Sequence, residues 1–211
     1  MAVLASGKGT NLQALLDDPE IGPRVDLVVS DRVDAPALDR ARARDIETVH
    51  LDPASFPTRS AHDEALATLL RDRATDVVVL AGYMRLLGPE VVEAFAGRVL
   101  NIHPSLLPAF PGVRAIAEAI DYGVRVTGVT VHIVDELLDH GPVVMQESVE
   151  VRVDDTTDSL EERIHEVEHR LLPAAVAALL DGRLHVEDRT VHVEERTSVE
   201  ERAEVQEQPH A

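Results

Sequence analysis

The run Leu100-Asn-Ile-His-Pro-Ser-Leu-Leu-Pro108 sets an amide, Asn101, and an imidazole, His103, at the mouth of an apolar segment that Pro104 then stops. Two positions apart on a strand, these side chains share a face and can converge on one reacting atom. An amide donor beside an imidazole suits a carbonyl carbon whose oxygen gains charge while a proton moves. A hydrogen-bonded strand end would use the same residues, so the pair needs company. Asp135-Glu-Leu-Leu-Asp-His-Gly-Pro142 supplies acids in a loop after another apolar run. A carboxylate near an imidazole stabilises its protonated form and orients the ring. Asp139 is the candidate partner of His103, ahead of Asp135.

Three further motifs carry chemistry. Ala5-Ser-Gly-Lys-Gly-Thr-Asn11 joins a first strand to a first helix, where Gly7 and Gly9 allow tight turning and the helix start offers N–H groups to an anion. The spacing matches neither the Walker loop nor the dinucleotide fingerprint, so a single phosphate suits it better. Gly82-Tyr-Met-Arg-Leu-Leu-Gly88 follows a buried strand, at the sheet edge where open α/β folds bind ligands. Met84, Leu86 and Leu87 there could wall a flat heterocycle, and Arg85 and Arg59 could meet an acidic ligand tail. His165-Glu-Val-Glu-His169 matches the zinc-peptidase pattern, but no third ligand follows at the expected distance. A polar helix face beside the cleft, with Glu168 open to hydrogen-bond donors, is the preferred reading.

The elements that must position these residues follow from periodicity. Apolar runs alternate with amphipathic stretches, the α/β pattern. Strands are predicted at Val3–Ala5, Val25–Ser30, Ile46–His50, Asp76–Ala81 and Val99–His103, then at Val124–Val134 and Val143–Val151 as an antiparallel pair. Helices are predicted at Asn11–Leu16, Ala35–Arg44, Arg59–Arg73, Pro89–Phe95, Val113–Asp121 and Thr156–Leu180. One domain over residues 1–190 and an acidic, disordered tail over 191–211 complete the expected layout.

Composition bounds the partners. A net charge of −19 argues against nucleic acid, whose phosphates need a basic face. No apolar run reaches a membrane span, and the cysteine count of 0 removes disulfides and thiolate chemistry. These points fit the cytoplasm. Lys8 is the sole lysine among many arginines, and the acidic excess predicts a salt-adapted, halophilic surface.

In order along the chain, Ser6–Gln13, Leu80–Leu87, Asn101–Pro108 and Asp135–Pro142 resemble the glycinamide ribonucleotide formyltransferases, folate-dependent enzymes of purine synthesis. The resemblance runs from about Ala2 to Leu184. It implies a Rossmann-like formyltransferase fold: a mostly parallel open sheet, helices on both faces, and an antiparallel C-terminal strand pair. It implies transfer of formyl from 10-formyltetrahydrofolate to the amine of 5-phosphoribosylglycinamide, with small-molecule substrates as partners, no metal, and a homodimer as a possible assembly. Substrate contacts are then expected at Gly9, Thr10, Asn11, Leu12 and Gln13 for the phosphate, and at His165, Glu166, Val167 and Glu168 for sugar and amide. Folate contacts are expected at Arg59, Met84, Arg85, Leu86, Leu87, Asn101, Asp135, Glu136, Leu137, Leu138 and Asp139. Asn101, His103 and Asp139 match the family's catalytic trio. At Val113-Arg114-Ala115 the chain departs from the histidine or asparagine that members often carry. The alternative is a formyltetrahydrofolate hydrolase, which would use water in place of the amine and need no phosphate turn at Ser6–Gln13. A transfer-RNA formyltransferase would need a basic surface that this chain lacks.

Overall fold

The computed structural model describes residues 1–196. Five parallel strands come first: β1 (Ala2–Leu4), β2 (Leu27–Ser30), β3 (Glu47–His50), β4 (Val78–Leu80) and β5 (Val99–His103). β6 (Val126–Ile133) runs antiparallel to β5, and β7 (Val143–Glu150) antiparallel to β6. A hairpin of β8 (Leu184–Glu187) and β9 (Thr190–Val193) closes the edge, giving the order β3-β2-β1-β4-β5-β6-β7-β9-β8. The mostly parallel open sheet with antiparallel C-terminal strands is the architecture expected from the sequence.

Apolar runs without alternation form the inner strands because both sheet faces are covered. Val3, Val28 and Val79 face one core with Leu12, Leu15 and Leu38, from α1 (Thr10–Asp17) and α2 (Pro36–Arg42). Leu160, Ile164 and Val176 join that core from α6 (Thr157–Leu180). Leu4, Val29 and Val78 face the other core with Leu66 and Leu70 of α3 (Arg59–Asp72) and Val91 of α4 (Pro89–Ala94). A fifth helix, α5 (Ala115–Tyr122), links β5 to β6. The Thr156 cap expected from sequence is a capping box: its hydroxyl accepts from the Ser159 N–H, and the Ser159 hydroxyl accepts from the Thr156 N–H.

Chain direction fixes where a ligand can sit. The chain leaves β1 toward β2 and β3, then returns to β4 on the other side of β1. That reversal opens a crevice beyond the carboxyl ends of β1 and β4. The β8–β9 hairpin is absent from the sequence-based layout, and the sheet continues to Val193, past the boundary expected at residue 190. The rest of the expected acidic tail, from residue 197, lies outside the described residues. Among the described residues, no helix is long and apolar enough to cross a membrane.

Candidate active site

The glycine turn after β1 starts the site. Gly9 caps α1 with φ 71°, and a Cβ there would lie 2.8 Å from the Cα of Ala37. Glycine alone fits both the left-handed backbone and the close approach. The Gln13 N–H bonds the Gly9 carbonyl, so the free donors of the helix start are the amides of Thr10, Asn11 and Leu12. The Leu12 side chain is wholly buried in the core and can serve only through that amide. The Gln13 side chain is held between Asp17 and Arg40 at 2.9 Å each, and Arg40 also donates to the Lys8 carbonyl in the turn at 2.8 Å.

Ser6 joins this turn to the loop after β4. Its hydroxyl donates to Asp31 Oδ1 at 2.6 Å and accepts from the Met84 N–H at 2.9 Å, while the Ser6 N–H donates to the Gly82 carbonyl. Above the turn lies α6. Glu168 is buried and accepts from Asn11 Nδ2 at 2.9 Å, with His165 Nε2 3.9 Å away. Burial pushes the Glu168 carboxyl up from its ordinary range, against the Asn11 hydrogen bond that lowers it. Asn11 Oδ1 is buried without a partner and can accept a bond from a ligand. Glu166 is solvent-exposed and Val167 lies in the core, so of the expected helix segment only His165 and Glu168 line the cavity. His165 and His169 stack with ring centroids 5.8 Å apart, and no group of three His, Cys, Asp or Glu among the described residues could hold a metal ion.

Asn101, His103 and Asp139 come together. His103 Nδ1 is 3.6 Å from Asp139 Oδ2, and Asn101 Nδ2 is 3.5 Å from Asp139 Oδ1. The Gly112 N–H donates to Asp139 Oδ2 at 2.7 Å. His103 Nε2 lies 2.9 Å from the Phe110 carbonyl, which only accepts, so the Nε2 hydrogen is fixed and Nδ1 is left facing the carboxylate. Sequence reasoning missed a fourth member. His132 on β6 stands opposite Asn101 in register, with its Nε2 3.1 Å from Asn101 Nδ2. Its Nδ1 meets the Ile133 carbonyl at 3.0 Å, so Nδ1 carries the hydrogen and Nε2 accepts from Asn101. Burial holds His132 below its ordinary pKa, which keeps the ring neutral and the Asn101 amide aimed. The signal in the sequence was a histidine inside the alternating run Val129-Thr-Val-His-Ile133.

Of the residues expected on the folate side, Met84, Arg85, Leu86, Leu87, Leu137 and Leu138 line one cavity with the trio, whereas Arg59, Asp135 and Glu136 do not. Met84 is exposed, and Leu137 and Leu138 are 58% and 55% exposed, so apolar surface faces the opening. Leu87 is buried and offers only backbone. Arg59 donates to the Leu86 carbonyl at 2.7 Å and lies with Glu136 at a neighbouring opening. Asp135 serves the loop itself, accepting from the Leu137 N–H and from His140 Nδ1. Two cavities adjoin here. One of about 450 Å³ holds the glycine turn, His165 and Glu168. One of about 170 Å³ holds Arg85, Leu86, Leu137, Leu138 and the trio. Gly82, Met84, Ile102, Pro104 and Val113 line both, so the departure at Val113 falls on the border between them.

A glycine turn with free helix-start amides, an apolar slot and an amide–imidazole–carboxylate trio are an arrangement suited to group transfer between two small molecules held side by side. Comparison with known proteins gives the particular family. Residues 1–176 match the family described as formyl transferase. The chain belongs to the formyl transferase family. It is 42% identical over 201 residues to the phosphoribosylglycinamide formyltransferase of Mycobacterium tuberculosis (strain CDC 1551 / Oshkosh), covering 94% of this chain and 93% of that protein. It is also 40% identical over 185 residues to the trifunctional purine biosynthetic protein adenosine-3 of Homo sapiens, covering 86% of this chain but only 18% of that one. The crystal structure of glycinamide ribonucleotide transformylase 1 from Symbiobacterium toebii superposes with a TM-score of 0.88 at 48% identity, covering 91% of this chain and 92% of that one.

Proposed function

We propose that this chain transfers the formyl group of 10-formyltetrahydrofolate to the glycinamide amine of 5-phosphoribosylglycinamide. The observation that carries this reading is that the cavity holding Asn101, His103 and Asp139 adjoins the cavity of the glycine turn across Gly82, Met84, Ile102, Pro104 and Val113. The helix-start amides of Thr10, Asn11 and Leu12 suit the phosphate, and the Glu168 carboxylate and Asn11 Oδ1 suit hydroxyl or amine donors of the sugar and glycinamide. Met84, Leu86, Leu137 and Leu138 suit the flat ring of the folate, Arg85 on the same cavity suits its acidic tail, and Arg59 at the neighbouring opening would meet that tail only further out.

Transfer breaks the bond from the formyl carbon to the folate nitrogen and forms one to the amine. As the amine attacks, the formyl oxygen gains charge. Asn101, aimed by His132, and His103 protonated at Nδ1 offset that charge, each donor contributing roughly 3 kcal/mol in comparable sites. Asp139 stabilises the imidazolium. The amine loses one proton and the folate nitrogen gains one, so the trio relays a proton without net consumption. The cysteine count of 0 and small-molecule substrates suit a cytoplasmic setting, and the charge of −19 disfavours nucleic acid as a partner.

Absorbance change on folate deformylation, recorded with and without 5-phosphoribosylglycinamide, tests the reading. Turnover is expected only when the amine substrate is present. Turnover that ignores it would mark a hydrolase.

A further inference from the structure

The β8–β9 hairpin lies outside the substrate cavities, yet its turn touches the loop that carries Asp139. Asp188 and Arg189 form a two-residue turn, and Thr190 pairs with Val143 of β7, where the Asp135–Pro142 loop rejoins the sheet. From that turn Arg189 donates to the His140 carbonyl at 2.5 Å, and its other guanidinium nitrogen lies 3.4 Å from both nitrogens of the His140 ring.

His140 is the residue after Asp139, and it is tied a second time. A carboxylate only accepts, so His140 Nδ1 donates to Asp135 Oδ2, at 2.8 Å. Asp135 Oδ1 accepts from the Leu137 N–H at 3.0 Å. Residues 135–140 are therefore closed by their own ends and fastened to the hairpin at the closing residue. Gly141 then passes so near β6 that a Cβ would lie 1.8 Å from the Ile133 carbonyl oxygen. Asp139 sits inside this loop with φ 49°, a backbone that only surrounding contacts hold in a non-glycine residue.

We propose that Arg189 is a positioning residue: through the His140 carbonyl it clamps the 135–140 loop and so sets Asp139 and the folate wall. The inference rests on the formyl-transfer reading and deepens it, because the loop faces the folate side and not the glycine turn. A charged donor on a backbone carbonyl is a strong hydrogen bond, weakened here by exposure of the arginine.

The test uses the full chain with Arg189→Ala and Arg189→Lys. In the alanine variant, KM for 10-formyltetrahydrofolate should rise and kcat should fall, each roughly three- to tenfold, while KM for 5-phosphoribosylglycinamide stays put. Lysine keeps a cationic donor and should recover most of the loss. Amide hydrogen exchange across residues 135–140 should quicken in the alanine variant without substrate. Wild-type kinetics and exchange in Arg189→Ala would overturn the clamp. So would KM values for both substrates rising together with a fall in Tm, the mark of general destabilisation. If the wild type fails to deformylate folate in response to the amine substrate, the transfer reading falls, and loop exchange alone still decides the clamp.

Discussion

Asp139 holds a left-handed backbone and two functional contacts at once, the Gly112 N–H and His103 Nδ1. Replacing it by asparagine keeps the shape and removes the charge that stabilises imidazolium. Asp139→Asn should therefore lower kcat by about two to three orders of magnitude and leave both KM values within a few-fold, in steady-state kinetics. Wild-type turnover would remove Asp139 from the proton relay. His132 makes a separate prediction through pH. Its folded pKa is depressed by burial, whereas an unfolded histidine titrates near about 6.5. On acidification the unfolded chain takes up this proton first. The contribution of neutral His132 is thus intact above about pH 6.5 and is lost as pH falls through the depressed folded value. The urea midpoint should fall between about pH 7 and about pH 5, and less steeply in His132→Asn; equal slopes would deny His132 this role. At this scale the sequence showed the trio but not the fourth member. Asn101 and His103 share a strand and a face, whereas His132 meets Asn101 only through pairing of β5 with β6. Contiguous motifs also over-reach on helices: successive residues turn by about 100°, so His165 and Glu168 share a face while Glu166 and Val167 do not.

Between the elements, one hydroxyl does much of the joining. Ser6 connects the end of β1 to the loop after β4 and to Asp31 after β2. Ser6→Ala should loosen both substrate loops together, raising both KM values roughly three- to tenfold by calorimetric or kinetic titration. A change confined to one substrate would show that the loops are positioned independently. Gly9→Ala is expected to cost about 1–2 kcal/mol of stability from its positive φ, more if Ala37 cannot yield, and to weaken phosphate binding. A calorimetric scan would show a Tm lower by about 2–8 °C, and an unchanged Tm would contradict the close packing of that turn. The inner strands and six helices were legible because their apolar spacing is unambiguous. The β8–β9 hairpin was not. Its strands, Leu184-His-Val-Glu187 and Thr190-Val-His-Val193, are short and largely exposed, and although Leu184, Val191 and Val193 pack against the core, an alternation of four residues is too brief to stand out.

For the molecule as a whole, the net charge of −19 sets the conditions of its stability. Like charges crowd a folded surface more than an unfolded chain, and salt screens them, with a Debye length of about 10 Å at 0.1 M and about 3 Å at 1 M. The urea midpoint should rise as potassium chloride is raised from about 0.1 M to about 2 M. A midpoint that fell across that range would refute the salt-adapted surface. Lys8, the one lysine, lies in the glycine turn beside the free helix-start amides of Thr10, Asn11 and Leu12.

Following the transferred carbon itself puts the two-cavity site to the most direct test. With 10-formyltetrahydrofolate carrying ¹³C in its formyl group, and 5-phosphoribosylglycinamide in excess, carbon NMR should show the label as a formamide on the glycinamide nitrogen. One formamide should form for each folate released. Label appearing as free formate, at a rate indifferent to the amine substrate, would contradict transfer between adjoining sites.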